Sequence, residues 1–236
     1  MNASPAAVFD LDGTLVDSEP NYYAAGREVL RRYGVPDFSW EEHARFIGIG
    51  TRETLQVLRE RYGIEAPVDE LLAAKNEAYL RLAAHGTEAF PRMRKLVEML
   101  HAAGVPMAVA SGSSRPAIEA VLPAAGLDGV FDVLVSAEEV PHGKPAPDVF
   151  LAAARLLGVE PARCVALEDA PPGVEAARRA GMRTVGVPSL PEHARDPAMV
   201  SAGLLFPGGQ RTFDAQRAYD WIMGAATPDG RLGAQK

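Results

Sequence analysis

Two aspartates after a short apolar segment are the residues of this chain best suited to chemistry. Val8 and Phe9 are typical of a buried β-strand, and the sequence DLDGT, which starts at Asp10, follows them directly. In an extended chain, residues two apart point to the same face, so Asp10 and Asp12 are expected to project together from the strand tip. A bound cation, or a proton on one carboxyl, relieves their mutual repulsion. A solvated acidic turn is the alternative. A calcium loop is excluded because the glycine stands fourth and the twelfth residue is Asn21.

Two further polar groups follow later apolar runs. Residues 111–114 read SGSS, and Ser111 with its neighbours offers hydroxyls and backbone N–H groups that suit an oxyanion or the cap of the next helix. Lys144 stands between a glycine and a proline, a constrained setting that can hold its amine in one place. Asp148, a few residues later, is expected to cap the following helix.

Glu168 and Asp169 form a second acidic pair at the end of an apolar run. Carboxylate oxygens are the ligands that Mg²⁺ prefers, so this pair is a metal-ligand candidate. With Asp10, Asp12, Lys144 and the serine loop, the set can bind Mg²⁺ and a phosphate around a nucleophilic aspartate. The phosphate-binding P-loop, the G-x-S-x-G elbow and the H-E-x-x-H zinc motif do not occur in the sequence.

Short apolar runs alternate with amphipathic segments, several of which end at a glycine, as in an α/β protein with a parallel sheet. The predicted strands are Ala6–Asp10, Pro106–Ala110, Val133–Ser136, Cys164–Glu168, Thr184–Val187 and Leu204–Phe206. The predicted helices between them are Met93–Ala103, Arg115–Ala125, Val149–Leu157 and Gly173–Ala180. Ligands bind at the carboxyl edge of such sheets, where the polar groups are expected to meet.

Residues 17–89 interrupt this alternation. They predict helices and no strand: Asn21–Tyr33, Glu41–Phe46, Thr51–Tyr62 and Asp69–His85. We therefore expect a doubly wound, Rossmann-like α/β core of residues 1–16 and 90–236, with an α-helical cap domain of residues 17–89 inserted after the first strand. The last dozen residues are predicted to be a loosely held tail.

The composition narrows the class of protein. With 236 residues, 47% of them hydrophobic and 23% charged, the chain is typical of soluble globular proteins. A net charge of −7 argues against nucleic acid or an anionic membrane as a partner, and no apolar stretch is long enough to cross a bilayer. No signal peptide is recognised, so a cytoplasmic location is expected. The single Cys164 excludes an internal disulfide and is expected to be a buried structural thiol.

In order along the chain, the four motifs resemble those of the haloacid dehalogenase superfamily. They are DLDGTL from Asp10, Ser111-Gly112, Gly143-Lys144-Pro145 and Glu168-Asp169. The resemblance covers residues 8 to 187, and the helical insertion resembles the small α-helical cap of the superfamily. Segments 17–20, 142–150 and 173–182 are similar to its β-phosphoglucomutase and sugar-phosphatase branch.

The resemblance implies a role for each motif. Asp10 would attack phosphorus and form an aspartyl-phosphate, while Asp12 would protonate the leaving alcohol and then activate water. The transferring phosphoryl oxygens would be held by Ser111, the Gly112 N–H and Lys144. The implied Mg²⁺ ligands are the Asp10 carboxylate, the Asp12 backbone carbonyl, Asp169, and Glu168 either directly or through a water.

In the expected cap, Arg52 and Lys75 resemble residues that face the sugar and distant phosphate of the substrate in β-phosphoglucomutase. From the residues alone, Arg52 equally fits the first turn of a helix and Lys75 a solvated helix charge. The cap is expected to cover the site during chemistry and to open for product release.

Two positions depart from the pattern of the family. Where β-phosphoglucomutase has a histidine after its first motif, this chain has Asn21 or Tyr22, which argues against a mutase. The serine usual after the acidic pair is Ala170 here, as in relatives similar to pseudouridine-5′-phosphatase. Ala170 removes a hydroxyl but no charge, so metal binding is expected to survive.

These features predict a Mg²⁺-dependent phosphatase of a small phosphorylated sugar, polyol or nucleoside monophosphate, acting as a monomer or weak homodimer. The alternatives are a β-phosphoglucomutase-like mutase and, more remotely, an inactive phosphometabolite-binding protein. A dehalogenase is not expected because those relatives lack the second aspartate, Asp12. An inactive protein would be expected to have lost Asp10, Asp12, Lys144 or Asp169, and all four are present.

Overall fold

A computed structural model of the protein describes residues 5–47 and 49–224. The chain divides into two compact units. The helical unit is Ser18–Thr87, and the sheet unit consists of the described residues on either side of it. The predicted tail of residues 225–236 lies outside the described residues.

The helical unit is built from amphipathic helices that bury their apolar faces against one another. Its α-helices are α1 (Glu19–Arg32), α2 (Trp40–His43), α3 (Thr51–Tyr62) and α4 (Val68–Gly86). Both α1 and α3 pack against α4. The predicted segment Glu41–Phe46 is a short α-helix that continues as a 3-10 turn over Ala44–Phe46.

The sheet unit contains a six-stranded parallel sheet and a two-stranded ribbon. In the described residues the strands are β1 (Ala6–Phe9), β2 (Val16–Asp17), β3 (Glu88–Ala89), β4 (Met107–Ser111), β5 (Val133–Ser136), β6 (Cys164–Glu168), β7 (Arg183–Gly186) and β8 (Leu204–Leu205). The order in the large sheet is β5-β4-β1-β6-β7-β8, with β1 fully buried near the centre. Phe9 is in register with Val109 and Leu167, so the polar residues beyond these strands lie at one edge.

Helices cover this sheet as expected for a doubly wound fold. They are α5 (Pro91–Ala102), α6 (Arg115–Ala124), α7 (Asp148–Leu157), α8 (Pro171–Arg179), α9 (Pro197–Val200) and α10 (Ala215–Ile222). Helix α7 packs on β1 and β4 through an apolar core that includes Val8 and Phe150, and α10 packs on α5. The predicted α/β fold class is confirmed. No described helix combines the length and the apolar character needed to span a bilayer.

Three details differ from the sequence predictions. The ribbon of β2 and β3, which pairs Asp17 with Glu88, falls at the borders of a stretch predicted to hold no strand. Its strands are two residues long, too short to show an alternating pattern. Asp148 is not the cap of α7, because Pro147 occupies the cap position and the Asp148 carboxylate lies 3.2 Å from His142 Nδ1. Helices α9 and α10 are not among the predicted helices.

Candidate active site

The ends of β1 and β6 bring a lysine and two carboxylates into direct contact. Asp10 follows β1, where its backbone N–H donates to the Leu167 carbonyl at 3.0 Å. Lys144 Nζ lies 2.5 Å from Asp10 Oδ1 and 2.6 Å from Glu168 Oε1. The same ammonium donates to the Ala110 carbonyl at 3.0 Å. The constrained loop before α7 therefore places one cation among buried acids at the carboxyl edge of the sheet.

Asp10, Glu168 and Asp169 form a buried acidic cluster. Each offers a carboxylate oxygen, and the three oxygens lie within 4.8 Å of one another. All three residues are buried, so each carboxylate has lost most of its hydration. Hard oxygen ligands at this spacing match a small divalent cation, which also offsets the repulsion between them. The residues thus fit a site for a divalent metal ion.

The electrostatics of the cluster follow from burial and proximity. Burial raises the pKa of Asp10, which the ammonium of Lys144 opposes and the neighbouring carboxylates reinforce. Burial and the Asp10 carboxylate raise the pKa of Asp169, and burial also raises the pKa of Glu168. Burial alone would lower the pKa of Lys144, but Asp10 and Glu168 raise it above its ordinary value. The two carboxylates therefore favour the charged form of Lys144.

Two glycines leave the space that the carboxylates occupy. Gly13 adopts a left-handed backbone (φ +80°), and a Cβ there would lie closer to the Asp169 carboxylate than real Cβ atoms approach any atom. A Cβ on Gly173, in the first turn of α8, would overlap the Glu168 carboxylate in the same way. Sequence reasoning treated Gly13 as a turn residue and Gly173 as part of a helix. Gly13 approaches Asp169 through long-range packing, whereas Gly173 approaches Glu168 because α8 begins directly after β6.

The turn after Asp10 is also held by Thr14, a motif residue to which no role was assigned, and by Gln210, which lies outside the motifs. Thr14 Oγ1 donates to Asp169 Oδ1 at 3.4 Å. Gln210 Nε2 donates to the Thr14 carbonyl at 2.9 Å and to the Gly13 carbonyl at 3.3 Å. Gln210 is almost two hundred residues from this turn, and no local pattern marks it. The turn is thus fixed from both sides before any ligand binds.

Asp12 faces the serine loop that follows β4. Ser111 is fully buried, and its Oγ lies 3.4 Å from Asp12 Oδ2. Ser113 Oγ donates to the same oxygen at 2.6 Å. Gly112 is exposed, which leaves its backbone accessible. Ser114 caps α6 by accepting from the Ala117 N–H at 3.4 Å, so the loop serves the helix as well as the site.

The helical unit places the two predicted cap residues differently. Arg52 is mostly exposed and pairs with Asp69 at 2.7 Å. Lys75 is buried, so the alternative of a solvated helix charge is wrong. Its Nζ lies 5.4 Å from the ring centroid of Tyr22, which stacks on Tyr79 at 4.2 Å. Burial lowers the pKa of Lys75 to about 8, against the opposing effect of Glu19.

Three other residues considered in the sequence analysis, Asn21, Ala170 and Cys164, contact only other parts of the fold within the residues that the structure describes. Asn21 Nδ2 donates to Thr87 Oγ1 at 3.0 Å, which ties the start of α1 to the residue after α4. Ala170 occupies the cap position of α8 without a side-chain cap. Cys164 is buried, and burial raises the pKa of its thiol to about 11. The expected structural thiol is confirmed.

Known proteins are similar to this chain in sequence and in fold. Residues 5–181 match the haloacid dehalogenase-like hydrolase family. The chain is 38% identical over 180 residues to the fructose-1-phosphate phosphatase YqaB of Escherichia coli, an alignment that covers 76% of this chain and 94% of the relative.

Solved structures of related proteins have the same fold as this chain. A variant of CbbY from Rhodobacter sphaeroides, in complex with xylulose-(1,5)bisphosphate, has a TM-score of 0.75 and 30% identity and covers 90% of this chain and 100% of its own. The β-phosphoglucomutase of Clostridium difficile has a TM-score of 0.74 and 25% identity, with 93% of this chain and 97% of its own covered. The resemblance found in the motifs is confirmed: this chain belongs to the haloacid dehalogenase-like hydrolase family.

Proposed function

We propose that the protein is a Mg²⁺-dependent phosphatase that hydrolyses a small phosphorylated metabolite through an aspartyl-phosphate on Asp10. The observation that carries the proposal is the contact of Lys144 with Asp10 and Glu168 beside Asp169 at the strand tips. Membership of a hydrolase family and the phosphatase among the relatives support a phosphoric monoester hydrolase. A sugar phosphate is the substrate class that the names of the relatives favour.

In the first half-reaction, a carboxylate oxygen of Asp10 forms a bond to phosphorus. The bond between phosphorus and the ester oxygen breaks, and its electron pair stays on that oxygen, which takes a proton from Asp12. In this proposal, Lys144, Ser111 and the Gly112 N–H hold the phosphoryl oxygens during transfer. Phosphoryl transfer depends mainly on such positioning and on positive charge around these oxygens.

In the second half-reaction, water attacks the phosphorus of the aspartyl-phosphate. Asp12 takes a proton from this water, and the bond between phosphorus and the Asp10 oxygen breaks, releasing inorganic phosphate. The proposed Mg²⁺ ligands are the carboxylates of Asp10, Asp169 and Glu168 and the backbone carbonyl of Asp12. When bound, Mg²⁺ supplies charge that offsets the phosphoryl oxygens and keeps Asp10 ionised.

Water, rather than a sugar, is the acceptor that we propose. Asn21 and Tyr22 stand where a mutase of this family has a histidine, and both side chains are engaged inside the helical unit, with Thr87 and Tyr79 respectively. Neither an amide nor a phenol can act as a charged hydrogen-bond donor in the way that the imidazolium of a protonated histidine does. The mutase stays the second candidate because one similar solved structure is a β-phosphoglucomutase.

A screen of phosphorylated metabolites with Mg²⁺, scored for free phosphate, tests this proposal. We expect release from sugar, polyol or nucleoside monophosphates without any bisphosphate activator. Conversion of β-glucose 1-phosphate to glucose 6-phosphate with little free phosphate would establish the mutase instead. Activity on none of them would favour the inactive binding protein.

A further inference from the structure

The loop after β4 carries a hydroxyl to which the proposed mechanism gives no role. Ser113 Oγ donates to Asp12 Oδ2 at 2.6 Å, whereas Ser111 Oγ is 3.4 Å from that oxygen. A hydroxyl-to-carboxylate bond of about 2.5–2.7 Å is typical of strong, charge-assisted hydrogen bonds. The contact joins the residues that follow two adjacent strands, β1 and β4.

Two buried serines hold the backbone of Ser113 in place. The Ser113 N–H donates to Ser111 Oγ at 2.9 Å, and Ser136 Oγ donates to the Ser113 carbonyl at 2.7 Å. Ser111 and Ser136 are fully buried and pair in the register of β4 and β5. The direction in which Ser113 presents its hydroxyl is therefore set by the sheet and not by a mobile loop tip.

A second layer of contacts holds Ser136. Its N–H donates to Glu139 Oε2 at 2.9 Å, and its Oγ accepts from the Glu138 N–H at 3.1 Å. Arg115, the first residue of α6, binds the Glu139 carboxylate through Nε at 2.9 Å and Nη2 at 2.7 Å. Networks in which each member is satisfied restrict motion more than single contacts do. The serine loop is thus preorganised.

We propose that Ser113 is a positioning residue for proton transfer by Asp12. This inference rests on the proposed function, in which Asp12 protonates the leaving alcohol and then deprotonates water. With Oδ2 held by Ser113, rotation of the carboxyl group is restricted, and Oδ1 is the oxygen we assign to the transferred proton. A catalytic acid must be held close to the productive geometry, so loss of this hydrogen bond slows the proton transfers.

The leaving group distinguishes this role from a merely structural one. An alkoxide leaves only when it is protonated, so hydrolysis of a sugar phosphate needs Asp12 in both half-reactions. The p-nitrophenolate ion is stable without a proton, so p-nitrophenyl phosphate needs Asp12 only when water attacks the aspartyl-phosphate. A positioning role of Ser113 therefore predicts different effects on the two substrates and on the two steps.

The test compares Ser113→Ala with Ser114→Ala, which removes the adjacent hydroxyl that caps α6. On fructose 1-phosphate, or the best alkyl phosphate of the screen, we expect Ser113→Ala to lower kcat by on the order of tenfold or more with little change in KM. With p-nitrophenyl phosphate, rapid mixing should show a burst of about one p-nitrophenolate per enzyme and then slow turnover. Ser113→Thr, which keeps the hydroxyl, should restore the wild-type pattern.

Equal losses of kcat/KM on both substrates, the absence of a burst with p-nitrophenyl phosphate, a change in KM alone on the alkyl phosphate, a gain of activity, or the same behaviour in Ser114→Ala would overturn the inference. In an Asp12→Asn background, Ser113→Ala should add no further loss, and an additive loss would also contradict it. Should Ser113→Ala fail to fold, Ser136→Ala should show the same pattern with smaller amplitude. A wild-type protein that hydrolyses no phosphate ester would refute the proposed function instead.

Discussion

The buried carboxylates at the strand tips lower the stability of the folded protein when no cation is bound to them. Asp169 has no ammonium within hydrogen-bonding distance in the described contacts, and burial together with Asp10 raises its pKa to about 7. The folded protein therefore holds the Asp169 proton more tightly than the unfolded chain. As the pH rises from about 4 to about 7, the free energy of unfolding must fall by this linkage.

We expect Asp169→Asn to stabilise the protein in excess chelator at pH 8. The gain should be on the order of 2 kcal/mol, because the amide removes a buried charge that Ser189 and the Lys144 ammonium offset only in part. Below pH 4 the difference should vanish. Thermal melts across this pH range, with Asp148→Asn as a control outside the cluster, measure the effect. Mg²⁺ should raise the melting temperature of the wild type and leave that of Asp169→Asn unchanged. If the melting temperatures of the two proteins change with pH in parallel, the account is contradicted.

At the scale of elements, the site depends on how closely helix α8 begins beside strand β6. The Glu168 carboxylate fills the space beside Gly173 that any larger residue would need. The atoms that a Cβ on Gly173 would meet all belong to the Glu168 carboxyl group, so this buried side chain would have to leave its position beside Lys144. The geometry of Glu168 toward Lys144 is therefore set by helix packing.

Gly173→Ala should thus lower turnover by at least tenfold and lower the free energy of unfolding by about 1–3 kcal/mol through overpacking. Phosphate release and denaturant unfolding measure the two effects. Gly86→Ala, at the end of α4, is the matched control, since a Cβ there meets no atom within 4 Å. Equal behaviour of the two variants would mean that Glu168 has room to move.

A second prediction at the scale of elements concerns Arg52 and Lys75 in the helical unit. Replacing either with Ala should raise KM for a substrate with a distal anionic or polar group, and change turnover of p-nitrophenyl phosphate much less. Because the pKa of Lys75 is lowered to about 8, its charge is lost as the pH rises past 8. KM for the anionic substrate should rise over that range in the wild type but not in Lys75→Ala. Equal losses on both substrates would place these residues in the chemistry or the fold.

On the scale of the whole molecule, the sequence predicted the parallel sheet and the order of the motifs because both leave local patterns. Strands β5 and β6 have the predicted bounds, since apolar runs and flanking turns define them. The contacts of Gln210 and Ser113 join distant segments, so no local spacing encodes them. The burial of Lys75 was missed for the same reason.

The central claim is that Asp10 and a bound Mg²⁺ transfer the phosphoryl group to water. The most direct measurement compares free phosphate with substrate consumed, for the wild type with Mg²⁺, for the wild type in chelator, and for Asp10→Asn. We expect one phosphate for each substrate consumed with Mg²⁺, and release near background in the other two. Phosphate release retained by Asp10→Asn or in excess chelator, or substrate consumed without free phosphate, would contradict the account.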